Sequence, residues 1–181
     1  MKIETSIEKS LILTLFDVVN FLTKNGEAMA HEGGLTVQQW LVLLQIANDP
    51  GFPNPDTARP GSVNTVLASE IATARGVSRS NISALLATLL RKRLVRQLDD
   101  PNDRRRKRLS ITSKGEKALK QIEPLRHRFN SDLFADFNAG EIQLVQQFLR
   151  RCLEKLWHLN SKRENQTDRD NTTGTRNKPR Q

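Results

Sequence analysis

Apolar residues recur at helical spacing along most of the chain, and polar or turn-forming residues mark off each run. Ile7, Leu11, Leu15, Val18 and Leu22 step by four, four, three and four, predicting an amphipathic first helix that ends near Asn25 and Gly26. Thr36 with Gln39 three residues later reads as a capping box, and Trp40, Leu43, Leu44 and Ala47 carry a second helix. From 48 to 64 periodicity stops. Pro50, Pro53, Pro55 and Pro60 fall there with Gly51 and Gly61, so the segment is expected to be a long loop. A third helix should follow, with Leu67, Ile71 and Ala74 on one face and Gly76 closing it. Ser78 is a natural N-cap for the next run, in which Ile82, Leu85, Leu86 and Leu89 share a face. Arg79, Ser80, Asn81, Ser83 and Thr88 are left outside. That outer face is short-chained and rich in donors, suited to base edges and phosphates in a groove wide enough to admit a helix.

The period then changes from helical to alternating. Leu94 to Leu98 and Leu109 to Ile111 predict two strands, joined by a loop in which Pro101, Asn102 and Asp103 are turn formers, so this is a β-hairpin with a basic tip. From Thr112 a helical pattern resumes through Ala118, Ile122, Leu125, Phe129, Leu133 and Phe137, with Pro124 expected to kink or split it. Asn138 and Glu141 form a second capping arrangement. Beyond them Ile142, Val145, Leu149, Cys152, Leu156 and Leu159 make a coiled-coil-like seam that calls for a partner helix. Residues 160–181 contain no hydrophobic residue and are expected to be a disordered basic tail. The fold class is therefore mainly α with a small β-hairpin.

Charge sharpens this picture. The chain has 181 residues and a net charge of +9, unevenly spread. Residues 1–64 hold four basic and seven acidic side chains, whereas 91–108 hold nine basic and three acidic ones. A field concentrated on one short segment suggests a polyanion partner, because neutralising phosphates releases counterions. A single cysteine, Cys152, excludes an internal disulfide framework. No membrane-length apolar run and no export signal is apparent, so a cytoplasmic protein without membrane association is expected. His31, His127 and His158 lack the spacing of helix-borne ligands, so no metal site is expected. No nucleophile elbow or phosphate-cradling glycine loop appears, so neither an enzyme nor a cofactor is expected.

The order of helices, the helix-turn-helix and the hairpin resemble the MarR (multiple antibiotic resistance regulator) family of winged helix-turn-helix regulators, over roughly residues 5–158. The most specific piece is DDPNDRRRKRLSITSKG, in which Asp103, Arg105, Leu109, Ser110, Ile111, Thr112 and Gly115 match the family's wing pattern. The resemblance implies a MarR-like domain over 1–159, with helices about 5–25 and 113–159 forming a dimerisation lobe and a winged helix-turn-helix over about 36–112. It implies that the helix from Ser78 to Arg93 lies in the major groove, that Arg105 enters the minor groove, and that Asp103 holds the wing in shape. Narrow minor grooves do attract guanidinium groups. Arg104 and Arg106 flank that tip. Departures from the family pattern are Arg93 where Gly is usual, Ala84 where Arg is frequent, Arg75 at an aliphatic position, and the length of 48–64.

The expected function is that of a homodimeric, sequence-specific regulator of transcription that binds double-stranded DNA at a palindromic operator, with repression as the default and a small-molecule effector as the signal. Dimerisation would use Leu11, Leu15, Val145, Leu149, Cys152 and Leu156. Phe16, Trp40, His127 and Phe129 are the candidates for an effector pocket, although aromatics at helical spacing are more often core. Two other readings remain open: a nonspecific architectural DNA binder, and a winged-helix module that binds protein.

Overall fold

A computed structural model describes residues 6–52, 65–100, 103 and 105–174, with side chains through 160. The elements run α1 (Ile7–Glu32), α2 (Val37–Ile46), β1 (Val66–Leu67), α3 (Ala68–Arg75), α4 (Arg79–Arg91), β2 (Val95–Asp99), β3 (Lys107–Ile111), α5 (Ser113–Leu133) and α6 (Ala139–Gly174). They divide into two compact units, Met1–Ser131 and Asp132–Gln181.

The core of the first unit is drawn from every element it contains. Leu43 and Ile46 of α2, Ile71 of α3, Ile82 and Leu89 of α4, Leu109 of β3 and Ile122 of α5 are fully buried. On α4 the buried residues are Ile82, Leu86 and Leu89, with Leu85 half-buried, so the predicted apolar face is the one that packs inward. The strands form one antiparallel sheet in the order β1-β3-β2, with Val95 opposite Ile111 and Val66 opposite Leu109.

Four sequence expectations differ from the structure. First, α1 passes through Gly26 and ends at Glu32. Gly26 is a close-packing position, because a Cβ there would stand 2.7 Å from Cγ2 of Val37. Second, Leu67 lies in β1, whose partner is more than forty residues distant and so leaves no local pattern. Third, Ala74 is exposed and Ala72 is buried, so Ala74 does not take over the space of the usual aliphatic residue. Arg75 itself is half-buried there. Its guanidinium donates to Gln38 Oε1 at 3.3 Å, and burial lowers its pKa. Fourth, α6 continues as helix to Gly174, where a disordered tail from 160 was expected. Composition argues against a buried face, but extending an existing helix needs only one backbone bond per residue. The proline-rich residues 53–64 and the tail beyond 174 lie outside the described residues, and Pro124 leaves α5 as one helix.

In the second unit Asn138 and Glu141 form the predicted reciprocal cap, with Glu141 N–H donating to Asn138 Oδ1 at 3.0 Å and Asn138 N–H to Glu141 Oε2 at 2.8 Å. The following apolar row is uncovered: Val145 is 56% and Leu156 52% exposed, while Cys152 is half-buried.

The first four helices share one way of stopping. Gly34, Asn48, Gly76 and Arg93 each take a positive φ, and each is bracketed by the paired backbone bonds of a Schellman motif. At the end of α4 these bonds run from Leu94 N–H to Leu89 O at 3.0 Å and from Arg93 N–H to Leu90 O at 2.9 Å. Glycine reaches this conformation without strain and asparagine tolerates it, but Arg93, at φ +60°, pays for a crowded Cβ. Because the Arg93 side chain is exposed, little packing is lost on removing it. Arg93→Gly should therefore raise stability by about 1 kcal/mol. The midpoint of urea unfolding should move up, and an unchanged or lower midpoint would contradict strain at this turn.

Candidate nucleic-acid interface

The turn between α3 and α4 is three residues long and each has a distinct task. Gly76 supplies the left-handed reversal at φ +61°, and Val77 N–H closes back on Ala72 O at 3.1 Å. Ser78 then caps α4, its hydroxyl accepting from Asn81 N–H at 3.2 Å. Ser80 Oγ lies 2.9 Å from Ser78 Oγ. The first turn of α4 contains no acidic residue. Its positive end is thus left for an anion from outside, and phosphate is the natural one.

Arg79, Ser80, Asn81 and Ser83 are all exposed on this end of α4, where they can meet a groove floor. Ser83 donates to Arg79 O at 2.8 Å, which leaves its oxygen able to accept. Thr88 is less suited. It lies further along the helix, half-buried, and its hydroxyl both donates to Ala84 O at 3.3 Å and accepts from Arg91 at 3.4 Å.

The wing is organised from behind its tip. Asp100, only 3% exposed, accepts from Arg108 Nε at 2.6 Å and from Asp103 N–H at 3.3 Å. Asp103 in turn accepts from Arg105 N–H at 3.0 Å through its carboxylate and from Arg106 N–H at 2.9 Å through its carbonyl. Asp100 N–H donates to Arg106 O at 3.1 Å, closing the loop. Two carboxylates in series therefore shape the turn, while Arg105 and Arg106 stay exposed and form no ion pair among the described residues. Lys107 and Asp99 pair across the strands at the surface, an interaction of small worth. Arg104 lies outside the described residues.

The sequence reading named Asp103 and overlooked Asp100. The signal was present in the run DDPNDRRRKR, where Asp100 precedes a proline turn and stands eight residues before Arg108. Hairpin register brings those two together, and burial makes the carboxylate indispensable.

The base of the wing is tied to α4 and α5 by Thr112. Its hydroxyl donates to Arg93 O at 2.8 Å and Leu94 O at 3.1 Å and accepts from Gly115 N–H at 3.2 Å. Lys114 Nζ adds a bond to Lys92 O at 3.0 Å. Gly115 is required because a Cβ would collide with the Leu94 carbonyl.

The four effector-pocket candidates have dissimilar settings. Trp40 is a core residue at 6% exposure, Phe16 is 65% exposed, His127 is exposed and Phe129 half-buried. The cavity beside the wing is lined by other residues. Among the described residues no group of three or more His, Cys, Asp or Glu could hold a metal, and no helix is long and apolar enough to cross a membrane.

Asp100→Ala should cost about 2 kcal/mol, because it leaves Arg108 and the Asp103 amide without their acceptor. Asp103→Ala, at an exposed position, should cost less. Urea unfolding of both variants tests this order, and equal losses would mean that Asp100 is not the organising group.

The model of the MarR family matches residues 33–106. Among curated proteins, the chain is 25% identical over 150 residues to the transcriptional activatory protein BadR of Rhodopseudomonas palustris, covering 82% of this chain and 79% of that protein. It is 27% identical over 93 residues to the transcriptional repressor MprA of Escherichia coli, covering 51% of this chain and 53% of that protein. Among solved structures, Sco3205, a MarR family transcriptional regulator from Streptomyces coelicolor in complex with DNA, superposes with a TM-score of 0.67 at 18% identity, covering 86% of this chain and 92% of the other. Residues 33–106 are thus similar to the MarR family, and the fold over most of the chain is the winged helix-turn-helix fold of the solved MarR-family structures.

Proposed function

We propose that the protein is a homodimer that binds a palindromic site in double-stranded DNA, with α4 in the major groove and Arg105 in the minor groove. The observation that carries this reading is the wing: Asp100 and Asp103 accept the hydrogen bonds that hold the loop, and Arg105 and Arg106 are exposed at its tip with no ion pair among the described residues. Base-edge contacts fall to Arg79 and Asn81, and phosphate contacts to Ser78 and Ser80 at the helix amino end. Dimerisation is supported by apolar surface left uncovered on α1 and α6. Leu11 on α1 is 40% exposed and, on α6, Val145 is 56%, Leu149 37% and Leu156 52% exposed, and a row of exposed apolar side chains along a helix is the mark of an interaction surface. Two-fold symmetry then sets half-sites about 10 bp apart, one helical turn. Promoter occlusion is the working mechanism, with a small effector altering the spacing of the two recognition helices. Relatives bear both activator and repressor names.

Selection from a random duplex library, followed by fluorescence anisotropy on the enriched site, tests the proposal. The enriched site should be a palindrome bound roughly a thousandfold more tightly than unrelated duplex at physiological salt. Arg105→Glu should weaken binding to every site at least about tenfold while light scattering still reports a dimer. Enrichment of no common sequence would favour a nonspecific architectural binder. A monomer that retards no duplex would favour a protein-binding module.

A further inference from the structure

The wing has a second positively charged end, away from its tip. At the base of the hairpin, where Arg96 faces Ser110 and Val95 faces Ile111, the stretches 91–97 and 113–120 carry exposed Arg91, Arg93, Arg96, Lys117 and Lys120. Glu116 is the one carboxylate in those stretches. None of Arg93, Arg96, Lys117 and Lys120 forms an ion pair among the described residues. Two of these cations, Arg96 and Lys120, line an open groove of about 440 Å³, within the size range of ligand sites. Its lining is about equally apolar and polar: Ala47, Ile111 of β3 and Leu119 of α5, with the edge of the buried Ile46, stand beside Arg96, Ser110, Lys120 and Glu116.

Duplex DNA matches the charge of this face and not the apolar part of the lining, since a phosphate backbone has no apolar projection to fill it. The register also sets this end of the hairpin opposite the Asp99–Lys107 end that leads to Arg105. We propose that the groove docks an acidic peptide segment of another protein, in which an apolar side chain sits over Ile46, Ile111 and Leu119 and neighbouring carboxylates meet Arg96 and Lys120. Glu116 lies where it can accept from a peptide N–H. Such a site would let the regulator engage DNA with one end of its wing and a protein with the other. The complementarity of charge gives the encounter its rate and orientation, and the apolar contact gives it residence.

The test uses the full chain and a fluorescein-labelled synthetic peptide of alternating glutamate and leucine, read by anisotropy with and without saturating duplex. The peptide should bind in both conditions. Arg96→Glu with Lys120→Glu should weaken it by roughly tenfold or more, as should Leu119→Ala to a smaller degree, with the circular dichroism spectrum unchanged. An all-glutamate peptide of equal length should bind less tightly, and Arg105→Glu should leave peptide binding intact. Displacement of the peptide by duplex, equal binding of the all-glutamate peptide, or an unaffected Arg96→Glu, Lys120→Glu variant would each overturn the proposal.

Discussion

Helix α4 and the wing are joined through one short piece of backbone, and the hydrogen bonds at Thr112 decide how that piece is held. The carbonyls of Arg93 and Leu94 point at the Thr112 hydroxyl, Leu94 also takes the Thr112 N–H at 3.0 Å, and the same hydroxyl caps α5. Three elements therefore share a single anchor: the end of α4, the inner strands of the wing, and the start of α5. A side chain at position 115 would push them apart, which is why glycine stands there. The left-handed turn at Arg93 belongs to this joint, and the strain it stores is local and small relative to the bonds on either side.

Charge is arranged on the same principle of separating support from display. Carboxylates are placed where they hold backbone: Asp100 and Asp103 in the wing, Glu27 on Val37 N–H at 3.0 Å, Glu70 on Leu67 N–H at 2.7 Å and Glu141 on α6. Arg126, like Arg108, is a structural cation. Burial opposes its charge, yet Asp49 and Glu123 more than offset this and raise its pKa, so it clamps α5 to the end of α2. Arg79 and Arg91 of α4 and Arg96, Arg105 and Arg106 of the wing are exposed, while Arg108 is held on Asp100.

The uncovered apolar rows of α1 and α6 obey the hydrophobic effect differently from the core. Within the first unit, burial comes from neighbours in the same chain. On α6 no neighbour among the described residues of its own unit covers Val145 or Leu156, so the regular apolar row lies exposed.

What was legible from sequence alone was whatever depends on near neighbours. The apolar face of α4, the Ser78 and Thr36 caps, the capping box at Asn138 and the basic hairpin follow from spacings of two to four residues, which local hydrogen bonds and side-chain direction enforce. Tertiary structure decided the rest. Gly26 reads as a stop until Val37 is packed against it. Strand β1 is invisible until Leu109 arrives from across the sheet, and Asp100 looks like one more turn residue until register sets it under Arg108. In each case the deciding atom lies on a distant part of the chain, and no local pattern can encode the steric or electrostatic partner that folding supplies.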